Sequence, residues 1–336
     1  MKLQKTLIIA EAGVNHNGDL AEALLLVDAA SESGADIVKF QTFTTDKLVT
    51  PDAVKATYQK ATTGHNETQM SMLRKLELSH SDHVAIIEHC QRRGISFFST
   101  GFDIESVNML VGLGIDRIKI PSGEITNLPY LRHVGGLGLP VIISTGMANL
   151  EEVRCATEVL LSAGTLKKEV IVLHCTSEYP APMVDVNLQA MVTMRETLGV
   201  NVGYSDHTTG HEVAVAAVAL GACVIEKHLT LDRDAAGPDH AASLEPAEFS
   251  AMVRAIRNIE LALGDGIKVL QPSEAANKLV ARRSIVAAAE IKTGELFTML
   301  NIAARRPGTG LSPMLWDEVL GKIAIRNFEP NELIEL

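Results

Sequence analysis

Leu7-Ile8-Ile9-Ala10-Glu11 is a short apolar run that ends in a charge, and the segment 19–33 behind it carries apolar residues at helical spacing. That couplet sets the fold, because it recurs. Strands are expected at Ile37-Val38-Lys39-Phe40-Gln41, Ile95 to Ser99, Arg117 to Ile120, Val141-Ile142-Ile143-Ser144, Val170 to His174, Val200 to Tyr204 and Val224 to Lys227. Helices are expected at 80–93, 103–113, 127–137, 149–163, 186–198, 210–220 and 246–263. Asp19, Asp103 and Asn149 stand where N-caps belong, and Gly34, Gly94, Gly114, Gly164 and Gly199 where helices should stop. Continuous apolar strands alternating with amphipathic helices describe a parallel sheet covered by helices. Eight units in about 265 residues are the number a closed (β/α)8 barrel needs. The competing open, doubly wound sheet lacks its usual signature, since no G-x-G-x-x-G follows the first strand and no Walker A sequence is present.

Beyond Leu263 the pattern breaks at Gly264-Asp265-Gly266. We read residues 1–265 as the barrel, 266–283 as a linker and 284–336 as a small β-rich module, with a turn at Lys292-Thr293-Gly294-Glu295 and a loop at Arg305-Arg306-Pro307-Gly308.

Composition narrows the function. The chain has 336 residues, 46% of them hydrophobic, and 30 Lys+Arg against 41 Asp+Glu give a net charge of −11. That excludes disorder and argues against a nucleic-acid binder, which needs a basic face. The longest uncharged apolar run, Val213 to Ile225, has 13 residues, short of the roughly 20 that span a bilayer. The N-terminal apolar run reaches Glu11 too soon for a signal-peptide core, so a cytoplasmic protein is expected. Cys90, Cys155, Cys175 and Cys223 show no CxxC spacing, and free, mostly buried thiols are expected.

A barrel gathers its reactive groups where its strands end. Here those ends carry Glu11 and Asn15-His16-Asn17, Lys39 and Gln41, Ser99-Thr100, Lys119 with Ser122 and Glu124, Ser144-Thr145, His174 with Thr176, Ser177 and Tyr179, Ser205-Asp206-His207, and Glu226-Lys227-His228. Lys39 and Lys119 among serine hydroxyls suit a phosphate or carboxylate ligand, although each also has a barrel carboxylate such as Glu11 or Glu226 to pair with. A Schiff-base role for either lysine stays open. His207 and His228, ending neighbouring strands near Glu226, Asp206, Asp239 and His240, suit a catalytic divalent metal with N and O ligands. His16, His174, His211 and His240 are left without a role, and His65, His80, His83, His89 and His133 are read as structural.

The segments Ile9-Ala10-Glu11-Ala12-Gly13-Val14-Asn15-His16-Asn17-Gly18, Val38-Lys39-Phe40-Gln41, Lys119-Ile120-Pro121-Ser122-Gly123-Glu124, His174-Cys175-Thr176, Gly203-Tyr204-Ser205-Asp206-His207 and Glu226-Lys227-His228 together closely resemble the sialic acid synthase family. The C-terminal part, with Arg305-Arg306-Pro307-Gly308-Thr309-Gly310, looks like that family's antifreeze-like (SAF) module. The resemblance implies a condensation of phosphoenolpyruvate with an open-chain N-acylated hexosamine and water, giving a nine-carbon 2-keto sugar acid and phosphate. It implies that Lys39, Thr100, Lys119, Ser122, Ser144, Ser177 and Ser205 hold phosphoenolpyruvate, and that His207 and His228 bind Mn²⁺, Mg²⁺ or Co²⁺. Glu11, Gln41, Tyr179, Asp239 and Arg306 would face the sugar, and Glu11 or Glu124 would guide protons. A domain-swapped homodimer, with the module capping the partner's barrel, is implied as well.

The loop Thr176-Ser177-Glu178-Tyr179 departs from the pattern of members acting on N-acetylmannosamine, and its glutamate resembles the branch that uses 2,4-diacetamido-2,4,6-trideoxy sugars and makes legionaminic acid. The alternatives are an octulosonate synthase or metal-dependent barrel aldolase acting on a sugar phosphate, for which Arg282, Arg283, Arg305 and Arg306 would be the extra cations, and a non-enzymatic sugar-binding scaffold.

Overall fold

The computed structural model describes residues 5–63 and 67–336, leaving the expectations placed on His65 and on the first four residues outside the described residues. Eight parallel strands close into a barrel in chain order. They are β1 (Leu7–Gly13), β2 (Ile37–Thr42), β3 (Ser96–Gly101), β4 (Ile118–Ile120), β5 (Val141–Ser144), β6 (Val170–His174), β7 (Asn201–Asp206) and β8 (Val224–His228). β1 pairs with both β2 and β8, which removes every sheet edge. The expected helices form at Leu20–Glu32, His80–Arg93, Ile104–Gly112, Leu128–Gly136, Leu150–Ala163, Gln189–Leu198, Glu212–Ala219 and Pro246–Leu263. Asp19 accepts from the Ala21 N–H, Asp103 from Ser106, and Asn149 forms a capping box with Glu152. The His80–Arg93 helix stops at Gly94, whose φ of 67° is left-handed and suits a residue without Cβ.

Alternation along the strands builds two apolar layers. Ile8, Ala10, Val38, Phe40, Val141, Ile143, Val170 and Val172 face outward and pack under the helices. Ile9, Ile37, Phe98, Ile142, Leu173 and Val224 face inward and fill the barrel floor. Each of the Val, Ile, Leu and Phe side chains contributes about 2 kcal/mol when fully buried. The floor is tight at Gly203, where a Cβ would stand 2.5 Å from the Val224 carbonyl oxygen and 2.7 Å from a Leu173 methyl. Two residues beyond Ile9, Ile37, Phe98, Ile142 and Val224 stand Glu11, Lys39, Thr100, Ser144 and Glu226, and the site begins there.

The segment between β2 and the His80–Arg93 helix holds the short helices Thr45–Leu48, Thr57–Thr63 and Gln69–Arg74, which sequence periodicity did not reveal. Beneath them Val14, Phe43, Met72 and Leu76 form a satellite core.

Contacts divide the chain at Asp265/Gly266. Residues 266–283, read as a linker, belong to the second unit and include the helix Ala275–Ala281. In that unit β9 (Ser284–Ala287) pairs antiparallel with β10 (Ile302–Arg305), over a core of Ile285, Ile291, Phe297, Ile302, Val319, Phe328 and Ile334. All four cysteines are free; Cys90 and Cys175 are buried, Cys223 is half-buried and Cys155 is exposed. No helix among the described residues is long and apolar enough to cross a membrane.

Candidate functional site

The inward polar positions open into one cavity of about 430 Å³ at the carboxyl ends of the strands. Glu11, Lys39, Gln41, Thr100, Lys119, Ser122, Glu124, Ser144, Ser177, Tyr179, Ser205, His207, Glu226, His228 and Asp239 all line it, so the structure gathers every barrel residue singled out from the sequence resemblance. Arg306 lies in the second unit, exposed, just after β10. Strand alternation sorts the other polar ends. Asp206 and Lys227 point behind the barrel wall, where Lys227 Nζ donates to Asp206 Oδ2 at 2.9 Å with both side chains fully buried. Ser99 likewise faces outward, bonded to Thr42, which meets His83. Three of the four unassigned histidines have structural partners: His16 Nδ1 accepts from the Gly18 N–H, His174 Nε2 donates to the Val186 carbonyl, and His240 bonds Thr230.

The two lysines sit in different surroundings. Lys39 Nζ lies 2.9 Å from Glu11 Oε2 and 3.4 Å from Glu226 Oε2, and donates to Thr100 Oγ1 at 2.8 Å. Burial disfavours its ammonium, but the two carboxylates outweigh that and hold its pKa above the ordinary value. Lys119 Nζ donates to Ser144 Oγ at 2.6 Å and is 3.7 Å from Glu226 Oε1. Burial, with repulsion from Lys39, leaves its pKa depressed despite Glu226. Glu226 resists its own burial through both lysines and the Ser205 hydroxyl and stays ionised, whereas burial raises Glu11. Burial and the neighbouring Glu11 push Asp239 up to about 7.

A hydroxyl cradle adjoins Lys119. The Gly146 N–H donates to Ser122 Oγ at 2.9 Å. A Cβ on Gly146 would stand 2.0 Å from Ser177 Oγ and 3.0 Å from Ser122 Oγ, so only glycine lets both hydroxyls close on the backbone there. Hydroxyls beside a buried ammonium, with one of them fixed by a backbone N–H, are the donor set of an anion site.

Across the cavity, the His207 and His228 rings lie 5.5 Å apart, with Tyr179 packed 4.2 Å and 5.6 Å from them. His207 Nδ1 donates to the Thr176 carbonyl at 2.6 Å, which fixes the tautomer and leaves Nε2 as a lone-pair donor. Burial holds His207 near a pKa of about 4 and His228 well below the ordinary value, so both are neutral imidazoles, the form that ligates metals. His228 Nδ1 is buried without a hydrogen-bond partner, 3.9 Å from Asp239 Oδ2. Two neutral imidazoles, one of them with an orphaned nitrogen, fit a divalent ion whose remaining positions are open to water or substrate. Among the described residues no group of three His, Cys, Asp or Glu side chains is placed to hold a metal ion by itself.

Sequence reasoning missed three parts of this cavity. Gly146 carries no side chain and no pattern, so only its surroundings reveal it. Glu226 was visible but given no role beyond a partner for lysine or metal, and it is the shared counter-ion of both lysines. The apolar wall contributed by Leu48, Val49, Met72, Leu73 and Leu76 comes from the unpredicted short helices and the residues just after them. The sequence signal available was the unusual length of that connection, well above the 2–6 residues common for βα loops.

Residues 26–268 match the model of the NeuB family, and residues 282–335 match the SAF domain. The chain is 51% identical over 332 residues to N,N'-diacetyllegionaminic acid synthase of Campylobacter jejuni, covering 99% of each. It is 48% identical over 316 residues to the Legionella pneumophila protein of the same name, covering 94% of this chain and 89% of that one. Among solved structures, the N-acetylneuraminic acid synthetase of Leptospira borgpetersenii, in complex with citrate, superposes with a TM-score of 0.71 at 34% identity over 82% of this chain and 90% of that one.

Proposed function

The chain belongs to the NeuB family, and from that membership we propose that it condenses phosphoenolpyruvate with an open-chain N-acylated mannosamine-type sugar and water to give a nine-carbon 2-keto sugar acid and phosphate. It is a carbon–carbon bond-forming transferase. The observation that carries the reading is the pairing, in one cavity, of a cationic hydroxyl cradle with two neutral imidazoles.

Phosphoenolpyruvate lies with its phosphate on Lys119, Ser122, Ser144, Ser177 and the Gly146 corner, and its carboxylate toward Lys39, Thr100 and Ser205. His207 and His228 would hold a divalent ion, Mn²⁺ or a similar one, which when bound polarises the aldehyde oxygen of the sugar. Gln41, Tyr179, Glu11 and Asp239 orient the sugar. The C2–C3 π pair of the enol forms the new bond to the aldehyde carbon, leaving a cationic C2. Water adds to C2, Glu11 or Glu124 takes one of its protons and delivers it to the alkoxide on the former aldehyde carbon, and the C2–O bond then breaks with its electron pair going to phosphate, which carries off the second proton as the keto group forms. Lys39 and Lys119 neutralise phosphate and carboxylate throughout, and the buried setting strengthens those contacts.

The relatives named for N,N'-diacetyllegionaminic acid favour 2,4-diacetamido-2,4,6-trideoxymannose over N-acetylmannosamine, whereas Glu178 beside Ser177 is exposed and not among the residues lining the cavity. A sugar phosphate would need a further cation, and among the described residues only Lys39 and Lys119 of the lysines and arginines line the cavity. A homodimer in which Arg306 of one subunit reaches the sugar of the other is supported by the apolar side chains that the second unit leaves exposed, Leu300 and Met314 each at 91%. Mass spectrometry of a reaction with phosphoenolpyruvate and the diacetamido sugar tests the reading. It predicts the nine-carbon acid in equal amount to phosphate; phosphate without the acid would overturn it.

A further inference from the structure

The loop between β2 and the His80–Arg93 helix is rich in charge, yet among its described residues no charged side chain lines the cavity. Lys47 pairs with Glu105, Arg74 with Asp46 and Lys75 with Glu67, all at the outer surface. Lys55 is buried within the loop, where its ammonium donates to Thr63 Oγ1, and what the loop's described residues turn to the cavity is uncharged and mainly apolar. Leu48, Val49 and Leu73 are half-buried and line the cavity, backed by the buried Met72 and Leu76 of the satellite core. The loop's polar cavity-lining residues, Gln59 and Gln69, are amides. The cavity is therefore two-sided, with a charged and hydroxyl-bearing floor on the strand ends and an apolar wall on the loop.

Resting on the reaction proposed above, we propose that this wall reads the terminal carbon of the sugar, and that Leu48, Val49 and Leu73 select a methyl group at C6 over a hydroxymethyl. The floor's donors are taken up by phosphate, carboxylate, aldehyde oxygen and the nearer hydroxyls, and the end of the chain remote from the aldehyde must reach the remaining wall. A hydroxyl placed against these side chains loses its water and gains no partner from them. A methyl there gains contact without that loss. Discrimination of this kind by an apolar pocket is worth about 10- to 100-fold.

The test compares two substrates that differ only at C6: 2,4-diacetamido-2,4,6-trideoxymannose and 2,4-diacetamido-2,4-dideoxymannose. The ratio of their kcat/KM values is read with phosphoenolpyruvate saturating, and because it is a ratio it does not depend on how much of a variant is folded. The wild type should favour the 6-deoxy sugar by about 10-fold or more, Leu73→Asn and Leu48→Asn should bring the ratio to within about threefold of one, and Leu73→Met should keep it. A wild-type ratio near one, or a ratio unmoved in both asparagine variants, overturns the assignment of the wall while leaving the reaction standing. Failure of either acylated sugar to release phosphate overturns the reaction, and this inference with it.

Discussion

Replacing Gly146 with alanine places a methyl where two hydroxyls now sit. The new Cβ would be 2.0 Å from Ser177 Oγ and 3.0 Å from Ser122 Oγ, against an ordinary contact of 3.4 Å or more, and 3.2 Å from Ser177 Cβ. Ser122 needs only a small adjustment, but the Ser177 hydroxyl must move by more than 1 Å, farther than a hydrogen bond tolerates. Losing one hydrogen bond to a charged ligand costs about 1.5–3 kcal/mol, or roughly 10- to 150-fold in affinity. KM for phosphoenolpyruvate should therefore rise by about that factor, while KM for the sugar stays within about threefold, as expected for an interaction made only with the first substrate. Steady-state phosphate release with each substrate varied in turn measures both. The mechanism also requires non-additivity, because once Ser177→Ala has removed the hydroxyl, adding Gly146→Ala should cost little more. An unchanged KM for phosphoenolpyruvate, or full additivity in the double variant, would refute the cradle.

Lys39→Met removes the counter-ion of two buried carboxylates, Glu11 and Glu226, and should lower unfolding stability by about 3–5 kcal/mol besides abolishing activity; an unshifted urea midpoint would contradict the pairing. Burial holds the His16 imidazole down at about 4 against an unfolded value near 6.5, so the unfolded chain binds the extra proton first and stability falls as pH drops through that window. The loss from this group should reach about 2 kcal/mol at pH 5 relative to pH 7 and be missing in His16→Gln, as urea titrations at both pH values would show. Deleting residues 284–336 should remove activity and leave the barrel's cooperative melting in place; full activity of the shortened chain would sink the role given to Arg306.

Much of this architecture is legible in the sequence because buried parallel strands read as apolar runs. All eight were found, and the errors fall at their ends. β1, β3 and β7 run on to Gly13, Gly101 and Asp206, since polar residues at a barrel mouth still make ladder hydrogen bonds. The polar ends were recognised as a site, but which of them face inward depends on strand alternation. Ser205 and His207 enter the cavity while Asp206 between them closes a buried ion pair with Lys227 outside. The short helices at Thr45–Leu48 and Gln69–Arg74 are one or two turns long, too brief to show a helical period. Ala275–Ala281 buries none of its residues, so no apolar stripe marked it within the segment read as a linker. Gly146 matters through what lies around it, which no linear pattern records.

The most direct measurement of the central claim is phosphate release from phosphoenolpyruvate with Mn²⁺, offering in turn 2,4-diacetamido-2,4,6-trideoxymannose, N-acetylmannosamine and arabinose 5-phosphate, each with and without EDTA. Release is expected with the acylated sugars, fastest with the first, lost on chelation and restored by added metal. Release with arabinose 5-phosphate alone, or release indifferent to EDTA, would contradict it.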